Sequence, residues 1–368
     1  AYWGDHDFDP NFFPEPEKNI QAIHDQNAQI MISVWPKFVT NTENYKKFEK
    51  EGWLFTKNVE LGNLDWVGPG YLSTFYDAYN PEARAAFWDG INQKLFSKGV
   101  DAWWLDATEP DIHSNVTLAE KKSTLTPNHF GSGEEFFNTY SLLQAKGVYE
   151  GQRASDPNKR VFILTRSVFA GQQSFGAVTW SGDIVSRWGD LSDQVRAGLN
   201  MSLSGIPYWT TDIGGFAVEK RYERQDPAHL DEWRELNMRW FQYGTFTPLF
   251  RVHGQFPFRE MWNIAPEGSE VYEAMVYYTQ LRYRLMPYVY ALAGQTYHQN
   301  YTIMRPLIMD FAADVNVKNI GDQFMFGPSI MICPVTTYKQ REREVYLPAG
   351  SGWFDFNTGA YYEGGNSI

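Results

Sequence analysis

Val100-Asp101-Ala102-Trp103-Trp104-Leu105-Asp106-Ala107-Thr108-Glu109-Pro110-Asp111 opens as a short run of β-formers and closes with three carboxylates within six positions. An apolar run of this length, bounded by a polar turn sequence, predicts a buried strand that delivers Asp106 to its C-terminal end. Working outward, comparable runs recur at Ile30 to Trp35, Val161 to Thr165, Ala177 to Trp180, Ile206 to Thr210 and Thr245 to Phe250. Longer amphipathic stretches separate them, and this alternation is the pattern of βα units around a parallel sheet.

Several of the runs end on a charged or aromatic residue: Trp35, Asp106, Arg166, Asp212 and Arg251, with Asp183 shortly after its run. In a (β/α)8 barrel the C-terminal ends of the strands form the active face, so this placement predicts one shared site. The runs number six where a closed barrel needs eight, and the expectation is that the first two βα units lie upstream of Ala1. Between the strands, Pro81 to Gly90 reads as a helix, with Asn80 as its N-cap and Pro81 at its first position. Glu134 to Gln152 and Glu270 to Tyr297 read as further helices. Beyond residue 298 the texture changes to short runs at Ile303 to Ile308, Met325 to Val335, Glu344 to Leu347 and Trp353 to Tyr362, separated by Gly, Pro and Asn. The chain therefore divides into a barrel domain over 1–297 and the start of an antiparallel β domain over 298–368.

Composition narrows the function. The 368 residues carry 32 basic and 44 acidic side chains, and the net charge of −12 repels phosphate backbones and anionic lipid, which argues against nucleic acid as a partner. No apolar stretch is long enough to insert in a membrane. Cys333 is the single cysteine, so there is no intrachain disulfide and no thiolate cluster. The seven histidines have no metal-binding spacing; His24, His113 and His253 form no cluster that would support a metal-dependent barrel hydrolase, and no metal or cofactor is expected. Aromatic residues make up 17% of the chain, which fits a large aromatic core or flat faces for stacking sugar rings.

Four segments carry the chemistry: Asp106 in Trp-Leu-Asp-Ala-Thr-Glu, Asp183 in Trp-Ser-Gly-Asp, Asp212 in Trp-Thr-Thr-Asp-Ile-Gly-Gly-Phe, and His253 in Arg-Val-His-Gly. Each alone fits a loop cap or a turn as well as a site. In this order they resemble the signature blocks of glycoside hydrolase family 31. The resemblance extends over nearly the whole chain, through Asp5-His6-Asp7-Phe8-Asp9-Pro10, the Met31 to Phe38 strand and Asp322-Gln323-Phe324-Met325-Phe326-Gly327-Pro328.

The resemblance implies a (β/α)8 TIM barrel, incomplete at its N-terminal side here, followed by the start of a C-terminal antiparallel β-sandwich domain. It implies a retaining, exo-acting α-glycoside hydrolase in which Asp106 is the nucleophile and Asp183 the general acid/base. Arg166, Asp212, Arg251 and His253 match positions that contact the reacting sugar, and Glu109 matches an acidic position that supports the nucleophile loop. Trp35, Trp104 and Trp180 serve as pocket walls or as core. Retention needs the two carboxyl groups in opposite protonation states, so cationic or hydrogen-bonding neighbours, Arg166 foremost, are expected to keep Asp106 ionised, and apolar cover with nearby negative charge to hold a proton on Asp183.

The doubled tryptophan and the run through Ile112-His113-Ser114-Asn115 are most similar to bacterial α-xylosidases acting on xyloglucan-type oligosaccharides. An α-glucosidase or an α-transglycosylase stays open, as does an inactive carbohydrate-binding protein. The expected partner is an oligosaccharide substrate. The aromatic content leaves a homo-oligomer open, and relatives of this type point to the periplasm or secretion.

Overall fold

The computed structural model describes residues 2–65, 70–110 and 116–368, and the chain packs as two compact units, residues 1–179 and 180–368. In the first unit, four parallel strands stand side by side in the order β1 (Met31–Ser33), β4 (Ala102–Leu105), β5 (Ile163–Thr165) and β6 (Ala177–Trp180). Each lies within a run expected from the sequence. A small antiparallel pair, β2 (Lys37–Val39) and β3 (Ser73–Phe75), lies between β1 and β4 in chain order.

The helix expected from residue 81 runs Pro81–Lys94, and Asn80 caps it by accepting from the Glu82 and Ala83 amides at 2.8 and 3.3 Å. It packs on the helix Tyr140–Ser155, where Gly151 leaves no room for a Cβ beside the Trp88 ring. The core of this unit takes up much of the aromatic content: Tyr76 stacks on Phe87 at 4.8 Å, and Phe38, Phe48, Tyr79 and Tyr140 are buried around them. Removing such side chains from water contributes about 1.5–3 kcal/mol apiece, and their polar ends are satisfied locally, as where the Tyr140 hydroxyl donates to the Tyr76 carbonyl at 2.9 Å.

In the second unit, β7 (Trp209–Thr210) is followed by the helix Pro227–Gly244. The strand expected over Thr245 to Phe250 is instead a series of turns. Its carbonyls have another partner: Arg282 donates to those of Thr245 and Thr247 at 2.8 Å and of Pro248 at 2.9 Å. Pro248 also has no amide to give to a ladder. Extended pairing resumes as one parallel bridge, Ile213 to Val252. The helix expected over 270–297 is two, Glu270–Arg284 and Met286–Gln299, broken at Leu285 ahead of Pro287.

The antiparallel texture read beyond residue 298 is present. β8 (Met304–Pro306), β9 (Phe324–Phe326) and β10 (Ile330–Ile332) form a three-stranded sheet in the order β10-β9-β8, and β11 (Tyr346–Leu347), β12 (Gly352–Phe354), β13 (Tyr361–Glu363) and β14 (Asn366–Ser367) form two pairs. No helix among the described residues is long and apolar enough to cross a membrane.

Candidate active site

Strand register places the first group of site residues. Leu105 is paired with Thr165 across β4 and β5, so Asp106 and Arg166, the next residue on each strand, leave the sheet side by side. Their side chains meet, with Arg166 Nε 3.3 Å from Asp106 Oδ1. Arg166 makes a closer contact with Glu109, 2.5 Å from Nη2 to Oε1. The guanidinium expected to serve Asp106 is therefore shared, and its shorter contact is with Glu109.

The loop that makes this possible turns sharply. Ala107, fully buried, has φ of 56°, and its amide donates to Asp106 Oδ1 at 2.7 Å. A side chain in that left-handed region costs about 1–2 kcal/mol, strain of a kind that gathers at functional sites. Thr108 then bonds Thr165 hydroxyl to hydroxyl at 2.8 Å in the interior, tying the loop to the strand that carries Arg166. Beyond Pro110, the segment Asp111 to Asn115, which includes His113 and the end of the α-xylosidase-like run, lies outside the described residues.

The doubled tryptophan divides its labour by strand alternation. Trp103 is fully buried, packs edge-on against Trp88 and donates to Gln152 at 2.8 Å, so it is core. Trp104, on the opposite face, is half-buried. Trp35 is also half-buried and stacks on Trp3 at 4.7 Å; the Lys37 ammonium lies 4.3 Å from the Trp3 ring centre and pairs with Asp65 at 3.3 Å, both fully buried. The Lys37–Asp65 pair was not found from sequence: Lys37 lies in the Met31 to Phe38 block, but Asp65 sits in no motif and nothing marks the two as partners.

Trp180, the last residue of β6, opens the second unit and is buried, with the Arg251 guanidinium 5.5 Å from its ring centre. Arg251 pairs through Nη1 with Asp212, whose side chain is fully buried. The chain geometry behind this pair is the Ile213–Val252 bridge, in which the Ile213 amide donates to the Arg251 carbonyl at 3.2 Å. His253 stacks on Phe216 at 5.5 Å. Burial, with the positive charges of Arg251 and Arg259, pulls its pKa down to about 4, so it is a neutral imidazole at neutral pH.

Asp183 follows Gly182, whose φ is 75°, and is exposed; the apolar cover expected to retain its proton is not found around it among the described residues. The loop after it is laced to the loop after Asp212. Phe216 and Ala217 amides donate to the Ile184 carbonyl at 2.8 and 3.0 Å, and the Ser186 hydroxyl donates to the Gly214 carbonyl at 2.6 Å. Arg259, 3% exposed, closes the arrangement by donating to the carbonyls of Gly215 at 2.7 Å and Gln255 at 2.6 Å. Sequence reasoning passed over Arg259; its one signal is a lone cation among the Phe and Pro residues of 256–258. Of the histidines weighed as ligands, His24 pairs with Asp101 at 2.8 Å.

The structure thus brings together Asp106, Arg166 and Glu109 in the first unit, and Trp180, Asp212 and Arg251 in the second. Comparison with known proteins gives this constellation its context. The glycosyl hydrolases family 31 TIM-barrel domain matches residues 1–292, and the family's C-terminal domain matches 300–368. The α-xylosidase of Saccharolobus solfataricus is 42% identical over all of the chain and 47% of its own length. Among solved structures, a family 31 α-xylosidase from Xanthomonas citri is 58% identical with a TM-score of 0.97, covering all of this chain and 40% of that one. A family 31 α-xylosidase from a soil metagenome, complexed with xylose, is 34% identical with a TM-score of 0.88, covering all of this chain and 55% of its own. The chain spans about half the length or less of these relatives, and within that span the barrel pattern, the C-terminal β domain and the ordered motifs agree: it belongs to glycoside hydrolase family 31.

Proposed function

We propose that this chain carries the catalytic core of a retaining α-xylosidase, with a catalytic domain over 1–297 and a C-terminal β domain from 298. Asp106 attacks the anomeric carbon, and Asp183 gives a proton to the glycosidic oxygen as that bond breaks. The same Asp183 then takes a proton from water, whose oxygen displaces Asp106 and releases the sugar with its starting configuration. Arg251, held by Asp212, and the neutral His253 are the groups assigned to sugar hydroxyls, where hydrogen bonds from a charged donor strengthen as the transition state forms. The observation that carries this reading is Asp106 itself: an ionisable side chain at the end of a buried strand, contacted by Arg166, within a sequence motif of the family. The choice of xylose rests on the likeness to α-xylosidases.

Hydrolysis of p-nitrophenyl α-xyloside against the α-glucoside, in the full-length context of the chain with Asp106→Ala as control, tests it. Preference for the xyloside, abolished by the substitution, supports the proposal. Preference for the glucoside keeps the mechanism and replaces the sugar, a discrimination of about 1–3 kcal/mol for one hydroxymethyl group. Sugar binding without turnover and without covalent labelling of Asp106 by a fluorinated glycosyl substrate overturns the catalytic claim.

A further inference from the structure

We infer that Glu109 is a positioning residue that draws Arg166 away from full pairing with Asp106 and so keeps the Asp106 carboxylate nucleophilic. The inference rests on the reading of Asp106 as the nucleophile. A guanidinium that serves one carboxylate well does so with two parallel N–H bonds. Here the fork is divided between two carboxylates, with the 2.5 Å arm on Glu109 and the 3.3 Å arm on Asp106. The side chains of Arg166 and Asp106 are only 11% and 16% exposed, so water does little to screen the difference.

The division has a chemical consequence. A carboxylate fully engaged by a guanidinium has its charge neutralised and its lone pairs occupied, which stabilises it as a leaving group and weakens it as an attacking group. Placing a second carboxylate on the same cation returns negative charge to Asp106. The loop geometry favours the sharing: the left-handed turn at Ala107 and the Thr108–Thr165 bond hold the loop so that Asp106 and Glu109 reach the same guanidinium. Glu109 Oε2 is buried and has no hydrogen-bond partner among the described residues, so the charge that Glu109 brings is directed at Arg166 through Oε1. Glu109 is committed to Arg166 through Oε1, which distinguishes it from a proton donor to substrate.

Glu109→Gln keeps the shape and removes the charge. In the full-length enzyme it is expected to move the acidic limb of the kcat/KM profile to lower pH by about one unit, because Asp106 no longer shares Arg166 with the charge of Glu109 and loses a like charge nearby. Covalent labelling by a 5-fluoroxylosyl fluoride should slow by about tenfold, while KM changes less than twofold. Glu109→Asp, which retains the charge, should leave the limb near the wild-type position. Glu109→Ser removes the charge without an amide in its place and has to move the limb the same way, so the test survives if one variant fails to fold. An acidic limb that stays put or moves up in these charge-removing variants overturns the inference. Failure of the underlying reading looks different: the wild-type label would sit on a residue other than Asp106, and Asp106→Gly would yield no β-glycosyl azide on azide rescue.

Discussion

The hydroxyls of Thr108 and Thr165 meet at 2.8 Å with both residues fully buried, so the loop that carries two carboxylates is bonded directly to the strand that carries the cation between them. Thr108→Val keeps the shape and removes the bond. The Thr165 hydroxyl retains the Ser167 carbonyl at 3.2 Å, so the stability cost should be modest, about 1 kcal/mol by urea denaturation. The fall in kcat/KM should be larger, about tenfold, because small displacements of a reacting group are costly. An unchanged kcat/KM would mean that the loop holds Asp106 without this bond.

Ala107 is the next point of control. Its φ of 56° with full burial leaves a β-branched side chain both strained and crowded, so Ala107→Val should lower stability by about 2 kcal/mol or more. Ala107→Gly relieves the strain but gives back about 0.5–1 kcal/mol in chain entropy, and its stability should stay within about 1 kcal/mol of wild type. Equal losses for the two, measured by the same denaturation, would show that the left-handed turn is not what constrains this position.

In the second unit the corresponding point is Gly215, with φ of 79°. A Cβ there would come 2.7 Å from the Ser186 amide nitrogen. Gly215→Ala should therefore cost about 2 kcal/mol or more and lower kcat as well, since Ser186 is bonded to the loop after Asp212 and follows Asp183 by three residues. A variant of normal kcat and reduced thermal midpoint would separate the lacing of these loops from catalysis.

His253 gives a pH signature. Its folded pKa lies near 4, below the ordinary 6.5, so between these values the unfolded chain binds a proton that the folded chain does not. Stability should fall as pH drops from about 6.5 to about 4. His253→Gln should flatten this part of the stability–pH curve, read from denaturation midpoints at several pH values, and an unaltered slope would reassign it to other groups.

What the sequence made legible follows from how local the physics is. β4 and β5 were readable because short β-former runs between turns mark buried strands wherever they occur. Asp106 and Arg166 were readable because they end such runs. The closer Arg166–Glu109 contact was not, since it depends on the left-handed turn at Ala107, and alanine does not announce that conformation. The strand expected over 245–250 failed for a long-range reason: Arg282, more than 30 residues away, takes the carbonyls that a ladder would use. The break at Leu285 was missed, although Pro287 is a signal that could have marked it. Arg259 was hidden because the carbonyls that need it are gathered only when the chain folds.

The pairing of Leu105 with Thr165 also limits how this site can vary over time. Inserting or deleting one residue within Ala102–Leu105 would exchange the two faces of the strand, sending Trp103 out of the core and turning Asp106 away from Arg166. Changes of residue type at Trp104 escape that penalty, because its side chain is only half-buried on the other face. Side-chain replacement at Trp104 therefore leaves the register of the strand intact, whereas a change of length is better absorbed by the loops that flank it.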